Sequence, residues 1–319
     1  MAGYNTIRGL RVKYLSADPA TSEDGQVWYN STTGNLRLQG IAAWASGENL
    51  NTGRSTGGST GTQTASLLAG GYVGPVATTA TEKYNGTSWA NSGSMGTSRY
   101  GQRAFGTQTA AIAAGGINPG GNVASSESFD GSSWTSKPSL NTGRYYASSA
   151  GTQTAGLIFG GSAPVSSATE SFNGSTWTTS PASLNTARYS ANNGCVGTQT
   201  ATLIFGGATP PYTSATESFN GTSWTAVDSM STTARQTLAG AGIQTSALAM
   251  GGNTGTLTGA TEKYNGTSWA SSTSMATARA NLSGSGASSA SALVAGGEVP
   301  AVTNITEEYN VATANLSTS

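Results

Sequence analysis

A Gly-Gly pair returns six times along this chain, at Gly70-Gly71, Gly115-Gly116, Gly160-Gly161, Gly206-Gly207, Gly251-Gly252 and Gly296-Gly297, at intervals of 45, 45, 46, 45 and 45 residues. A period of that size marks supersecondary units that bury their apolar faces only by stacking on one another, as in a propeller or a solenoid. It constrains the fold far more than it constrains the function.

The same punctuation surrounds each pair. Upstream lies a Gln-Thr signal and an apolar run, as in Gly151-Thr152-Gln153-Thr154 followed by Ala155-Gly156-Leu157-Ile158-Phe159. Downstream come a glutamate and an aromatic: Glu82/Tyr84, Glu127/Phe129, Glu170/Phe172, Glu217/Phe219, Glu262/Tyr264 and Glu307/Tyr309. An Asn-Gly or Asp-Gly step leads to Trp89, Trp134, Trp177, Trp224 or Trp269, and an arginine marks each unit: Arg54, Arg99, Arg144, Arg188, Arg235 and Arg279.

Residues 144–188 illustrate one unit. Residues 145–149 read as a first strand, and Gly151-Thr152-Gln153-Thr154 as a turn. Residues 155–159 read as a second strand buried on both faces, because the apolar run is continuous. The Gly-Gly pair ends it, where backbones approach closely or take positive φ. Residues 168–172 and 175–179 read as third and fourth strands, joined at Asn173-Gly174 by what the dipeptide predicts to be a type I′ turn. Four short antiparallel strands in one period make a propeller blade. The rival β-solenoid has shorter coils without hairpin punctuation.

No tryptophan follows Tyr309, and the polar end of the chain supplies none. Trp44, however, precedes Arg54 by ten residues, as Trp89 precedes Arg99. The spacing predicts that residues 42–45 are the fourth strand of the last blade. The expected fold is all-β: a six-bladed propeller over residues 36–319, closed by an N-terminal strand, with a short β extension over residues 1–35. Closure would remove the sheet edges that invite aggregation.

Composition narrows the function. With 14 basic and 14 acidic residues the formal charge is zero, which removes the usual electrostatic signal of a nucleic-acid partner. No apolar run approaches the length of a membrane span, so no membrane insertion is expected. The first fifteen residues do not read as a Sec-type signal peptide. The chain has no histidine, the commonest general base and a common metal ligand. Its single cysteine, Cys195, reads as a small strand residue. No cofactor, metal site or catalytic residue is expected, and an enzyme reading, such as a polysaccharide lyase or hydrolase, lacks a distinct carboxylate pair.

The order arginine, apolar strand, Gly-Gly, glutamate, Tyr or Phe, tryptophan resembles the kelch motif, which builds β-propellers. Some kelch propellers are copper oxidases with His, Tyr and Cys ligands, a set this chain cannot supply. Phe129-Asp130-Gly131-Ser132-Ser133-Trp134 is superficially similar to the aspartate box of sialidase propellers. It is one residue short, and the other units hold Asn in place of Asp130, so the hairpin-turn reading is preferred.

Alternating strands sort the connections onto two faces. One face collects the Gly-Thr-Gln-Thr and Asn-Gly turns, nearly the same in every unit. The other collects residues 72–79, 117–125, 162–167, 208–214, 253–259 and 298–304, where the units diverge. Either those loops drift unconstrained or they form a recognition surface on a rigid scaffold. Tyr72, Asn118, Asn122, Tyr212 and Asn253 are the candidate binding residues, since aromatic and amide side chains suit stacking on sugars and bonding their hydroxyls. The six arginines and six glutamates lie toward the same face. They read first as one structural Arg–Glu pair per unit, and alternatively as an arginine ring open to an anionic glycan.

In residues 1–35, the alternation of residues 1–15 suggests a strand. Asp18-Pro19 and Glu23-Asp24-Gly25 suggest turns, and residues 25–38 a hairpin. The Trp28-Tyr29-Asn30-x-x-Thr33-Gly34-x-Leu36-Arg37 pattern resembles the start of tail and fibre proteins of tailed bacteriophages, particularly marine ones. That resemblance implies a non-enzymatic virion component, assembled in the host cytoplasm. It would attach to other virion proteins through its N-terminal segment and meet host-surface polysaccharide or a neighbouring subunit through its divergent loops. The alternative is a bacterial surface carbohydrate-binding adhesin or lectin. A homo-oligomer through the first 35 residues stays open.

Overall fold

The computed structural model describes residues 12–19, 26–162, 164–189, 194–231 and 233–316. The strand suggested for residues 1–15 and the turn at Glu23-Asp24-Gly25 lie largely outside them. The fold is all-β, and its arrangement of sheets is propeller-like. Each of the five units from Arg54 to Ser272 forms a four-stranded antiparallel sheet in simple up-and-down order. In the unit read above the strands are Ser148–Thr152, Ala155–Phe159, Thr169–Phe172 and Trp177–Thr179. The last sheet has six strands, in the order Lys13–Leu15, Val27–Asn30, Asn35–Gly47, Thr306–Leu316, Ser291–Ala295 and Ser283–Ser288. Asn35–Gly47 lies antiparallel to Thr306–Leu316, with Trp44 opposite Tyr309 and a register shift between Gln39 and Ala42.

Two details differ from the sequence reading. The first strand starts at Ser148 rather than at residue 145, because Tyr146 takes a φ of 50° that no strand accommodates. The Asn-Gly turns are not type I′. Phe172 pairs with Trp177, which leaves a four-residue loop in which only Gly174 has positive φ. The Asn173 side chain supplies the second constraint, accepting the N–H groups of Ser175 and Thr176 at 2.9 and 2.8 Å. A side-chain acceptor thus replaces the second positive φ.

The second strands form the core, and four of the five residues in Ala155–Phe159 are buried. Adjacent sheets share apolar clusters: Phe105 and Ile112 of one sheet pack with Ile158, Phe172 and Trp177 of the next. The first sheet meets the last in the same way, Leu68 and Trp89 packing with Leu293 and Ala295. Burial of each such side chain stabilises by about 1.5–3 kcal/mol. The first strands lie side by side in chain order, and Ser283–Ser288 also touches Gly58–Thr62. That crowding selects small residues. A Cβ on Gly284 would stand 2.7 Å from the Ala239 Cβ, and one on Gly58 3.1 Å from that of Ala104.

The Gly-Gly pairs join neighbouring units. The second glycine donates its N–H to the carbonyl of the next arginine at 2.9 Å in all six cases, and the last of these bonds runs from Gly297 back to Arg54. The first glycine has φ between 59 and 69°, and its backbone lies so close to that carbonyl oxygen that a Cβ would sit 2.2–2.9 Å from it. No side chain fits there.

Candidate functional site

The arginines and glutamates are structural groups sealed inside the units. Arg54–Glu82, Arg99–Glu127, Arg144–Glu170, Arg188–Glu217, Arg235–Glu262 and Arg279–Glu307 form ion pairs at 2.5, 2.6, 2.8, 2.6, 3.1 and 3.3 Å. None of these side chains is more than 5% exposed. The second carboxylate oxygen accepts a backbone N–H from the segment that enters the unit, from Asn51, Gly96, Asn141, Asn185, Ser231 or Ala276, at 2.7–2.8 Å. In the third unit the arginine also donates to the carbonyls of Gly160 and Ala168, each at 3.0 Å. Burial pulls the guanidinium pKa values of Arg54, Arg99, Arg188 and Arg235 below the ordinary arginine value, and the paired carboxylates oppose it. These arginines cannot reach an anion in solvent, so the alternative of an open arginine ring does not fit the geometry.

The glutamine of the Gly-Thr-Gln-Thr turn, read above only as a turn residue, reaches into the preceding unit. Gln108 donates to the Ser66 and Tyr84 carbonyls, Gln153 to those of Ala111 and Phe129, and Gln199 to those of Gly156 and Phe172. The tryptophans do likewise: the indoles of Trp89, Trp134, Trp177, Trp224 and Trp269 bond the hydroxyls of Thr306, Thr81, Ser126, Thr169 and Thr216.

One cavity and one irregular face stand out among the described residues. A cavity of about 450 Å³ opens among the recurring turns, lined by first-strand and turn residues such as Thr60, Thr62, Gly106, Gly151, Val196 and Ser285. Among the described residues, no charged side chain lines it. Cys195 lies on its wall and donates its Sγ–H to the Ser149 carbonyl at 3.1 Å. Burial pushes the thiol pKa up, which disfavours the reactive thiolate.

The second region is the face of divergent loops. There the residue after each arginine bridges to the residue after each Gly-Gly: Ser55 to Tyr72, Tyr100 to Ile117, Tyr145 to Ser162, Tyr189 to Ala208, Gln236 to Asn253 and Ala280 to Glu298. The loops are hairpin stubs, closed by the strand pair Ile117–Asn118 with Gly121–Asn122 or by single bridges such as Ala208 to Tyr212. Of the candidate residues, Tyr72, Asn118, Tyr212 and Asn253 are half-buried and Asn122 is exposed. Asn118 and Asn253 turn their Oδ1 atoms onto the N–H groups of Gly120 and Gly255 within their own loops, so each acts first as a turn residue. Tyr72 stacks edge-on against Tyr100, centroids 5.5 Å apart.

The sequence reading passed over Tyr100, Tyr145, Tyr146 and Tyr189, absorbing the middle pair into a first strand. The available signal was a tyrosine directly after the arginine in three of six units. Beside them the backbone forms a chain of bonds across units: Asn281 N–H to the Thr237 carbonyl, Thr56 to Asn281, Gly101 to Thr56 and Tyr146 to Gly101. Thr56, Tyr146, Thr237 and Asn281 hold positive φ of 50–55°, a conformation that costs non-glycine residues of order 1–3 kcal/mol each.

No family model matches this chain, and no curated protein matches it.

Proposed function

We propose that the chain is a six-bladed kelch-like β-propeller, closed by Asn35–Gly47, that serves as a non-enzymatic virion component of a tailed phage. The Gly297–Arg54 bond and the contact between the first and last inner strands support the six-bladed reading. The observation that carries the role is the unequal use of side chains. Recurrent charges and amides are consumed inside the scaffold, while the residues that break the repeat gather on one face. A rigid scaffold that presents a recognition surface on its variable loops has that distribution.

The other end of the proposal is attachment. Lys13–Leu15 and Val27–Asn30 extend the last sheet outward beside Asn35–Gly47. Asp18 locks this extension by accepting the Trp28 indole and the Asn30 amide, each at 2.9 Å, and by pairing with Arg37 at 3.1 Å. Val12, Tyr14 and Ile41 stand 47, 75 and 77% exposed there. That apolar stub suits a partner within a particle, and the phage-like N-terminal pattern supports reading that particle as a tailed phage. The divergent-loop face is then left for host-surface polysaccharide or a neighbouring subunit.

Mass spectrometry of density-purified particles of the phage encoding the chain is expected to find it at stoichiometric level, and cryo-electron microscopy to find the divergent-loop face turned outward. Its absence from the particles would reject the virion role. A divergent-loop face buried against other subunits would replace host recognition with assembly.

A further inference from the structure

Among the divergent loops themselves, one residue is a carboxylate, Glu298, and its chemistry narrows the ligand. Glu298 follows the last Gly-Gly pair and is half-buried. Its two carboxylate oxygens accept the Ser55 hydroxyl at 2.8 Å and the Asn281 amide at 2.9 Å. These bonds hold the group in place and leave lone pairs on both oxygens. Unlike the six glutamates of the repeat, it has no ion pair with an arginine or lysine among the described residues.

Ser55, which holds Glu298, exchanges backbone bonds with Tyr72 at 2.8 and 3.0 Å, and the backbone of Tyr146 is linked to Asn281 through Gly101 and Thr56. The Tyr146 hydroxyl pKa is pushed up to about 12, first by burial and then by its neighbours Tyr100, Glu298 and Tyr145, against the opposing charge of Arg103. Tyr145 and Tyr146 stack with centroids 5.0 Å apart, and Tyr72 packs on Tyr100 at 5.5 Å. Arg103 is only 1% exposed and donates its Nε–H to the Ala147 carbonyl at 2.6 Å, out of reach of a ligand at the surface. Among the described residues, the half-buried groups around Glu298 include this fixed carboxylate and the tyrosine rings. Aromatic faces carry negative electrostatic potential and attract cations most strongly where water is partly excluded. The positive φ at Thr56, Tyr146 and Asn281 fixes the backbone under these groups.

The geometry points to a cation-recognising site at the centre of the divergent-loop face, in which Glu298, Tyr72, Tyr100, Tyr145 and Tyr146 take an ammonium group carried on a sugar. This rests on the reading of that face as the glycan-binding surface and adds the ligand's charge to it.

Isothermal titration of the full chain compares a fully deacetylated glucosamine trimer, its amines protonated, with the N-acetylglucosamine trimer. The deacetylated trimer is expected to bind roughly tenfold tighter. Glu298→Gln, which keeps the side chain's shape, can still accept the Asn281 amide and can donate its own NH2 to the Ser55 hydroxyl, is expected to abolish the preference without changing the melting curve. Thr62→Arg, which fills the cavity on the opposite face, is expected to change neither affinity. Equal binding of the two trimers, or a preference that survives Glu298→Gln, overturns the cation site and leaves the glycan-binding surface standing. Failure of both trimers to bind, or loss of binding in Thr62→Arg alone, also overturns it. None of these outcomes bears on whether the protein is in the particle.

Discussion

The sheet over Ser148–Thr179 and the sheet assembled from both ends of the chain perform the same packing task with unequal regularity. In the former, Trp177 is 6% exposed and bonds the Ser126 hydroxyl of the preceding unit, Gln153 clamps two carbonyls, and Arg144 makes bonds with Glu170, Gly160 and Ala168. In the latter, Trp44 is half-buried and donates to the Thr273 carbonyl, so the Thr261 hydroxyl has no partner. Ser289 stands at the glutamine's place and bonds only Ser246, while Arg279 leaves Nε and Nη1 without hydrogen bonds. Strands linked by short turns are delivered to each other in register. Strands that are distant in sequence must find each other late, after a large loop-closure cost, and their interface tolerates more compromise.

The sharpest way to break this comparison is to remove the strand that joins the ends. Deletion of residues 1–47 is expected to abolish cooperative unfolding or drive association, because it exposes the long edge of Thr306–Leu316. Deletion of residues 1–30 is expected to preserve a single sharp melting transition. Circular dichroism melts with size-exclusion chromatography distinguish the two. Equal behaviour of both truncations would mean that Asn35–Gly47 is dispensable.

The ion pairs give the next largest effect. Glu170→Gln leaves Arg144 buried without its counter-charge and is expected to cost about 3–5 kcal/mol in urea unfolding. Glu307→Gln is expected to cost less, since its arginine is already poorly satisfied and burial has pulled the Arg279 pKa to about 10. Equal losses would show that the two sheets differ in appearance only. Gln153→Ala then unpairs two buried carbonyls at once, for about 1–3 kcal/mol. Ser289→Ala breaks one partly buried hydroxyl pair and is expected to cost about 0.5–1.5 kcal/mol.

These contrasts explain what the sequence could and could not disclose. Strand order, the buried second strands and the pairing partner of Trp44 follow from local periodicity and spacing, which need no knowledge of neighbouring units. The role of Gln153 does not, because its acceptors lie 42 and 24 residues upstream in another sheet, and a Gly-Thr-Gln-Thr string is an adequate turn on its own. Tyr146 was read into a strand because a bulky residue at positive φ runs against local preference, and the bonds across units that impose it are tertiary. Glu298 resembled any loop glutamate until Ser55, 243 residues away in sequence, was placed against it. Residues that serve one unit were legible, and residues whose partners belong to the next unit were not.

The smallest effect concerns the one hairpin loop in which aspartate replaces the recurring asparagine. Asp130 accepts the backbone N–H groups of Ser132 and Ser133, each at 2.8 Å, and the two serine hydroxyls, each at 2.9 Å. Those bonds, the backbone ones first, hold its carboxyl well below the ordinary value of 3.8. A folded-state pKa below the unfolded one contributes stability that is present above pH 3.8 and is lost as pH falls through the folded value. Asp130→Asn keeps the backbone acceptor, as Asn173 does in its own loop, but removes the titration. The variant is expected to melt slightly below the parent at neutral pH and to match it in strong acid, as measured by melting curves across the acid range. A gap that persists unchanged in strong acid would mean that loop shape, not charge, separates Asp130 from its asparagine counterparts.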